Sequence, residues 1–309
     1  MKVVITGGTG DIGRYLIDEL KQHGHQLIIL SRNPDKYRGS FDQAVELVQW
    51  DAKTAAGWVN YLDEADAIIN LAGENLAGES FLPGRWTEQK KLKIVQSRQQ
   101  AGEAVVEAVV AATKKPKVVI QSSAVGYYGP RNDDTKLDES ASPGSDFLGT
   151  TCAAWERTTS AVQKMGVRQV VIRTGLVLMH EGGPLPRLLF QFKVFGGGPF
   201  GGGQQWWSWL HIRDEVRAIR FLLESETANG PYNLTAPNAV TNKQFSKILG
   251  RVLNRPSFMP IPGFAMKLLL GEVATTVLDG QRVIPKRLLE AGFEFEYNDL
   301  GSALENLTQ

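Results

Sequence analysis

The chain has 309 residues, with 34 Lys and Arg against 33 Asp and Glu, a formal net charge of +1. That balance, with no sustained basic stripe, supports neither a nucleic acid nor an anionic membrane as partner, and the lone Cys152 excludes an internal disulfide and a cysteine-rich metal site. No apolar run approaches membrane-spanning length and no charged leader precedes the first strand, which points to a soluble cytoplasmic protein.

The first predicted strand, residues 3–6, breaks directly into Gly7, Gly10 and Gly13 at G-x-x-G-x-x-G spacing, followed by an amphipathic segment with Tyr15, Leu16, Ile17 and Leu20 on one face. A strand, a glycine turn and a helix in that order form the first unit of a dinucleotide-binding fold. Gly7 and Gly10 permit a tight turn close to phosphate, and Gly13 lets the helix pack closely while its N-terminus faces the anion. Gly7, Gly10, Asp11, Ile12 and Gly13 are therefore cofactor-binding candidates.

The second strand, residues 27–30, ends in Ser31 and Arg32, where an NAD-binding chain would carry an acid for the ribose 2′-hydroxyl. A hydroxyl followed by a guanidinium suits a 2′-phosphate instead, so NADP(H) is the expected cofactor, with Asp35 leaving NAD open. Further strands are predicted over 45–49, 67–71, 118–121 and 169–173, with helices over 87–113 and 150–165. Alternation of strands and helices predicts an α/β doubly wound, Rossmann-type parallel sheet. Beyond residue 173 come glycine-rich loops, then a mostly helical tail from residue 241, interrupted by Pro256, Pro260 and Pro262. The expected division is a nucleotide-binding domain over 1–172, to which 208–234 returns, and a smaller C-terminal substrate-binding lobe over 173–309.

Several motifs together carry a resemblance. They are the glycine turn, Asn70-Leu71-Ala72-Gly73, Ser122-Ser123-Ala124-Val125-Gly126-Tyr127-Tyr128-Gly129 and His211-Ile212-Arg213-Asp214. The chain resembles an extended short-chain dehydrogenase/reductase of the NAD-dependent epimerase/dehydratase type. Trp86, Ser97-Arg98, residues 207–212, Asn233 to Pro237 and Gly280 to Lys286 are similar to its epimerase-like, cell-division-inhibitor or "SulA-type" subfamily. The resemblance implies an NADP(H)-binding domain and a small substrate lobe, without implying a known reaction. It places Leu71, Ala72, Gly73 and Glu74 at the cofactor, Arg98 on a helix running past it, Asp51 beside the adenine and Val177 in the nicotinamide pocket.

Catalytic members of that superfamily use a Tyr whose acidity is raised by a Lys one helical turn later. Anchoring on Glu156 puts Leu148 at the Tyr position and Cys152 at the Lys position, and no Tyr-x-x-x-Lys occurs elsewhere. The remaining donor candidates are Tyr127, Tyr128 and Ser123 at the end of the fifth strand, each with a structural role as the competing reading. His211 reads as a structural histidine, Asp214 as the cap of the helix that follows, and Trp206, Trp207 and Trp209 as either a stacking wall or core. Two functions follow. One is an NADP(H)-dependent oxidoreductase or epimerase acting on a small polar, sugar- or nucleotide-linked substrate. The other is a non-catalytic NADP(H)-dependent regulatory protein with a protein partner, linked to cell or plastid division.

Overall fold

The structure is a computed structural model that describes residues 1–41, 45–78, 84–131 and 133–309. Its central sheet has seven strands: β1 (Lys2–Thr6), β2 (Gln26–Ser31), β3 (Val45–Gln49), β4 (Ala67–Asn70), β5 (Val118–Ala124), β6 (Arg168–Thr174) and β7 (Gly230–Leu234). They lie in the order β7-β6-β5-β4-β1-β2-β3, with every neighbouring pair parallel. The order reverses between β1 and β4, and ligands bind at the carboxyl ends of strands flanking such a reversal.

The strands are apolar on both faces because both faces are covered. Val3, Ile5, Leu27 and Ile29 pack with Leu16, Ile17 and Leu20 of α1 (Asp11–Gln22). Val4, Ile28, Ile68 and Val119 point the other way, toward Ala101 and Val105 of α2 (Glu88–Ala111) and toward Trp58. Truncating a fully buried residue such as Ile5 or Ile69 to alanine costs about 2–5 kcal/mol. Thr87 caps α2 by accepting from the Lys90 N–H at 3.1 Å.

Several elements differ from their sequence reading, and β7 is not among the six predicted strands. β5 continues through Ser122 and Ser123 to Ala124, because β6 pairs with it as far as Thr174. The helix expected over 150–165 is α3 (Phe147–Thr158), capped by Asp146, followed by a separate 3₁₀ turn over Ser160–Met165. The cap of the helix after residue 211 is His211, whose Nδ1 accepts from the Arg213 N–H at 3.1 Å, rather than Asp214.

Beyond β6 the chain makes α4 (Leu185–Lys193), then α5 (Ile212–Glu224), which returns to the α1 face of the sheet and leads into β7. Asp214 pins the later chain instead, accepting from the Glu296 and Tyr297 N–H groups at 2.8 and 2.9 Å. α6 (Asn242–Val252), α7 (Gly263–Leu270) and a terminal helix over Leu300–Thr308 complete the tail. Short pairings tie these segments together: Leu176–Leu178 with Trp209–His211, Val240–Thr241 with Trp206–Trp207, and Lys136–Leu137 with Arg282–Val283.

Candidate functional site

At the end of β1, Gly7 adopts φ +70°, and a Cβ there would lie 2.8 Å from the Leu71 carbonyl carbon. The glycine turn is therefore pressed against the chain leaving β4, and Leu71 and Ala72 line the same mouth as Gly7. A Cβ on Gly13 would come within 2.5 Å of the Gly7 oxygen, so α1 also approaches the turn closely. Gly10 caps α1 with no side-chain hydrogen bond, which leaves first-turn N–H groups directed at the mouth. Ile12 packs on the core. The Asp11 carboxylate accepts from the Gly183 N–H at 3.0 Å, tying this turn to the start of the lobe.

Ser31 is buried, and its hydroxyl accepts from the Asn33 N–H at 3.2 Å. Arg32 is exposed beside it, while Asp35 pairs with Arg38 at 2.9 Å. Glu74 accepts from Lys90 at 2.6 Å; that ammonium, with Arg32 and Lys93 beyond it, holds the carboxyl below its usual range. Ser97 and Arg98 clamp the turn over residues 73–74. The Ser97 hydroxyl accepts from the Glu74 N–H at 2.9 Å, and Arg98 donates to the Glu74 carbonyl at 3.1 Å. Arg98 also lies 4.7 Å from the centre of the Trp155 ring, and burial lowers its pKa. Two assigned residues are engaged elsewhere. Both Asp51 oxygens are taken by Lys53 and Thr54 in a local turn, and Val177 is buried in the core on the short strand Leu176–Leu178.

The carboxyl edge of the central strands carries a buried polar ladder. Thr6 donates to Asn70 at 2.6 Å, Asn70 to Gln121 at 2.9 Å, and Gln121 to the Ser122 carbonyl at 2.9 Å. On the α3 face a second network centres on Arg173. Its guanidinium grips both Glu156 oxygens at 2.8 and 2.9 Å, donates to the Tyr128 hydroxyl at 3.0 Å and lies 3.5 Å from the centre of the Tyr127 ring. Burial alone would lower the pKa of Arg173, but Glu156 raises it well above the ordinary arginine value.

This network assigns structural work to two of the three donor candidates. Ser123 donates to Glu156 at 2.7 Å. Tyr128 is fully buried, donates to Asn233 at 2.6 Å, and burial pushes its phenol up to about 12. Tyr127 is half-buried, and among the described residues its hydroxyl makes no hydrogen bond. Leu148 and Cys152 lie one turn apart on α3 against Gly126. Burial pushes the Cys152 thiol up to about 11, against the pull of Arg98.

Sequence reasoning missed three features. Arg173 and Glu156 stood in the sequence as a strand end and an alignment anchor. Glu215, fully buried in the first turn of α5, accepts from Thr174 at 2.8 Å through one oxygen while the other has no partner, and burial pushes it up to about 8. The third is a cavity of about 640 Å³, lined by Arg131, Asp133, Asp134, Gln205, Trp206, Thr241 and Leu278. Among the described residues Arg131 Nε is buried without a partner, and Trp206 donates to Asp134 at 2.8 Å while Arg282 covers its ring at 4.2 Å. Trp207 and Trp209 are core residues, so the three tryptophans divide between wall and core. His211 is buried between Asn306 and Tyr297.

A glycine turn and a bare helix N-terminus at the switch point of a parallel sheet define a dinucleotide-binding protein of the Rossmann class. The NAD dependent epimerase/dehydratase model matches residues 3–235, and a domain of unknown function, DUF1731, matches residues 261–307. The chain belongs to the NAD-dependent epimerase/dehydratase family. It is 39% identical to the epimerase family protein YfhF of Bacillus subtilis, over 99% of this chain and 98% of that one. It superposes on the crystal structure of human epimerase family protein SDR39U1 with NADPH, with a TM-score of 0.85 and 30% identity over 99% of both chains. A nucleoside-diphosphate sugar epimerase from Corynebacterium glutamicum is also 30% identical, with a TM-score of 0.77, and this chain spans 57% of that longer protein.

Proposed function

We propose that the chain binds NADP(H) and carries out redox or epimerase chemistry on a small polar, sugar- or nucleotide-linked substrate. Tyr127 serves as proton donor in place of the missing Tyr-x-x-x-Lys pair. The observation that carries this reading is the division of labour at the β5 edge: Ser123 and Tyr128 are consumed by the Arg173–Glu156 network, and the Tyr127 hydroxyl makes no hydrogen bond among the described residues.

The first-turn N–H groups after Gly10 hold the pyrophosphate, and Arg32, with Asp35 occupied by Arg38, takes the 2′-phosphate. The human neighbour with NADPH supports that choice. When bound, the cofactor supplies the hydride donor or acceptor. The cavity offers Arg131 for an anionic group and the Asp133 and Asp134 carboxylates, with the Gln205 amide oxygen, to accept from hydroxyls, a lining that suits a phosphorylated or nucleotide-linked sugar. The Corynebacterium neighbour, named a nucleoside-diphosphate sugar epimerase, agrees with that class.

The test is incubation of the NADPH- and NADP⁺-loaded protein with a panel of nucleoside-diphosphate sugars, reading nicotinamide absorbance and sugar isomers together. Turnover that Tyr127→Phe removes supports the reading; turnover that survives it unchanged removes Tyr127 from its role. Leu148 and Cys152 at the dyad positions favour a second reading, an NADP(H)-dependent regulatory protein of the division-inhibitor type. Tight NADPH binding with no turnover of any sugar selects it.

A further inference from the structure

Residues 185–204 and 242–270 carry seven Lys and Arg and not one Asp or Glu, so all 33 carboxylate residues of the chain lie outside them. The whole-chain balance of +1 conceals this asymmetry. The same two segments hold most of the large apolar side chains exposed among the described residues: Phe258 and Phe264 are each 76% exposed, Leu268 74%, Leu269 67% and Phe195 58%.

The two segments form one surface. Met259 donates to the Gly197 carbonyl at 3.1 Å, Ile261 to Pro199 at 2.9 Å and Gly201 back to Ile261 at 2.9 Å, so residues 197–201 run beside residues 259–261. Arg255 lies 4.8 Å from the centre of the Phe195 ring. α7 begins two residues beyond Ile261, with Phe264 and Leu268 one turn apart and the exposed Lys267 between them.

We infer that this face docks on an anionic lipid surface, with Phe258, Phe264 and Leu268 entering the headgroup boundary and Lys193, Arg255 and Lys267 meeting lipid phosphates. Side chains three-quarters exposed stand proud of their elements, which suits insertion into a soft medium; basic residues rimming them supply attraction to negative headgroups. A second copy of the chain is disfavoured as occupant, because a two-fold pairing would bring two predominantly basic surfaces together, even with Asp279 beside Lys267. The inference is independent of the cofactor and of the reaction.

The test is co-sedimentation with vesicles of phosphatidylcholine and phosphatidylglycerol in equal parts, beside vesicles of phosphatidylcholine alone. The protein is expected to pellet with the first and remain in solution with the second, and binding should weaken as salt rises. Lys193→Glu, Arg255→Glu and Lys267→Glu should each weaken binding roughly fivefold or more, and Phe258→Ser with Phe264→Ser and Leu268→Ser should abolish it. Unchanged circular dichroism and thermal denaturation of these exposed-residue variants verify that they fold. No pelleting with anionic vesicles, equal pelleting with neutral ones, or full binding by the serine variant overturns the inference. So does a native dimer that the serine variant dissolves, or a stable complex with an acidic protein at the same face.

Discussion

Arg173 on β6 holds both oxygens of Glu156 on α3, at 2.8 and 2.9 Å, while its guanidinium lies under the Tyr127 ring. One buried cation thereby fixes the helix, the strand and the tyrosine loop against each other. Removing it leaves the Glu156 carboxylate uncompensated, so Arg173→Ala should destabilise the protein by about 3–5 kcal/mol. Arg173→Lys should recover little of that loss, since an ammonium cannot make the two-pronged contact. Chemical denaturation of the three proteins is the measurement, and near-native stability of the alanine variant would contradict the network.

Tyr127 and Tyr128 should separate cleanly. Tyr128→Phe leaves the buried Asn233 oxygen without its donor and should cost about 1–3 kcal/mol of stability. Its turnover, once a substrate is found, should stay near native at temperatures where it is folded. Tyr127→Phe should leave stability alone and lower turnover by roughly 10²-fold or more. The reverse pattern would exchange their roles.

Cofactor preference should reside in Arg32. NADPH should bind more tightly than NADH, and Arg32→Ala should erase a difference on the order of 1.5–3 kcal/mol while leaving NADH affinity unchanged. Fluorescence titration with both nucleotides decides it; equal affinities in the native protein would defeat the assignment.

The glycines of the turn should fail in different ways. A Cβ at Gly10 meets only the Gly7 oxygen, at 3.2 Å, so Gly10→Val should fold yet lose nucleotide binding by filling the anion's place. A Cβ at Gly13 runs into backbone at 2.5 Å, so Gly13→Ala should cost about 1–3 kcal/mol of stability as well. Circular dichroism with NADPH titration separates the two, and native affinity in Gly10→Val would make the turn a plain corner.

Glu215 should make stability fall as pH rises through the acidic and neutral range toward about 8. Burial raises its carboxyl from 4.5 to about 8, so the folded state keeps a proton that the unfolded chain releases. The stability it contributes is complete below pH 4.5 and falls as pH rises toward about 8, by at most about 1.4 kcal/mol per unit. Glu215→Gln keeps a neutral partner for Thr174 and should flatten that slope. Identical slopes in denaturation curves across this range would show that the group titrates normally.

Six of the seven strands were legible because they are largely apolar and the first glycines stand where a strand must turn into a helix; β7, with Pro231 and Asn233 in its run, was not. α2 was legible to within two residues at each end of the predicted 87–113 span. The donors were not, because Ser123 and Tyr128 find their partners 33 and 105 residues away. A polar residue at a strand end reads as available until the fold brings something to it. Glu215 was equally hidden, since an acid in the first turn of an amphipathic helix ordinarily faces water. Nothing in the order of residues says that β6 will cover it.

The bond from Gly183 to Asp11 spans 172 residues, and the sheet gains its last strand, β7, only after the excursion through α4 and α5. The nucleotide cradle is thus finished late during synthesis. A ribosome that has released the first six strands has produced a glycine turn whose first helical residue still lacks its partner, and a β6 edge that still lacks its neighbour. Cutting the gene after β6 would therefore yield an unfinished sheet rather than a portable nucleotide-binding module.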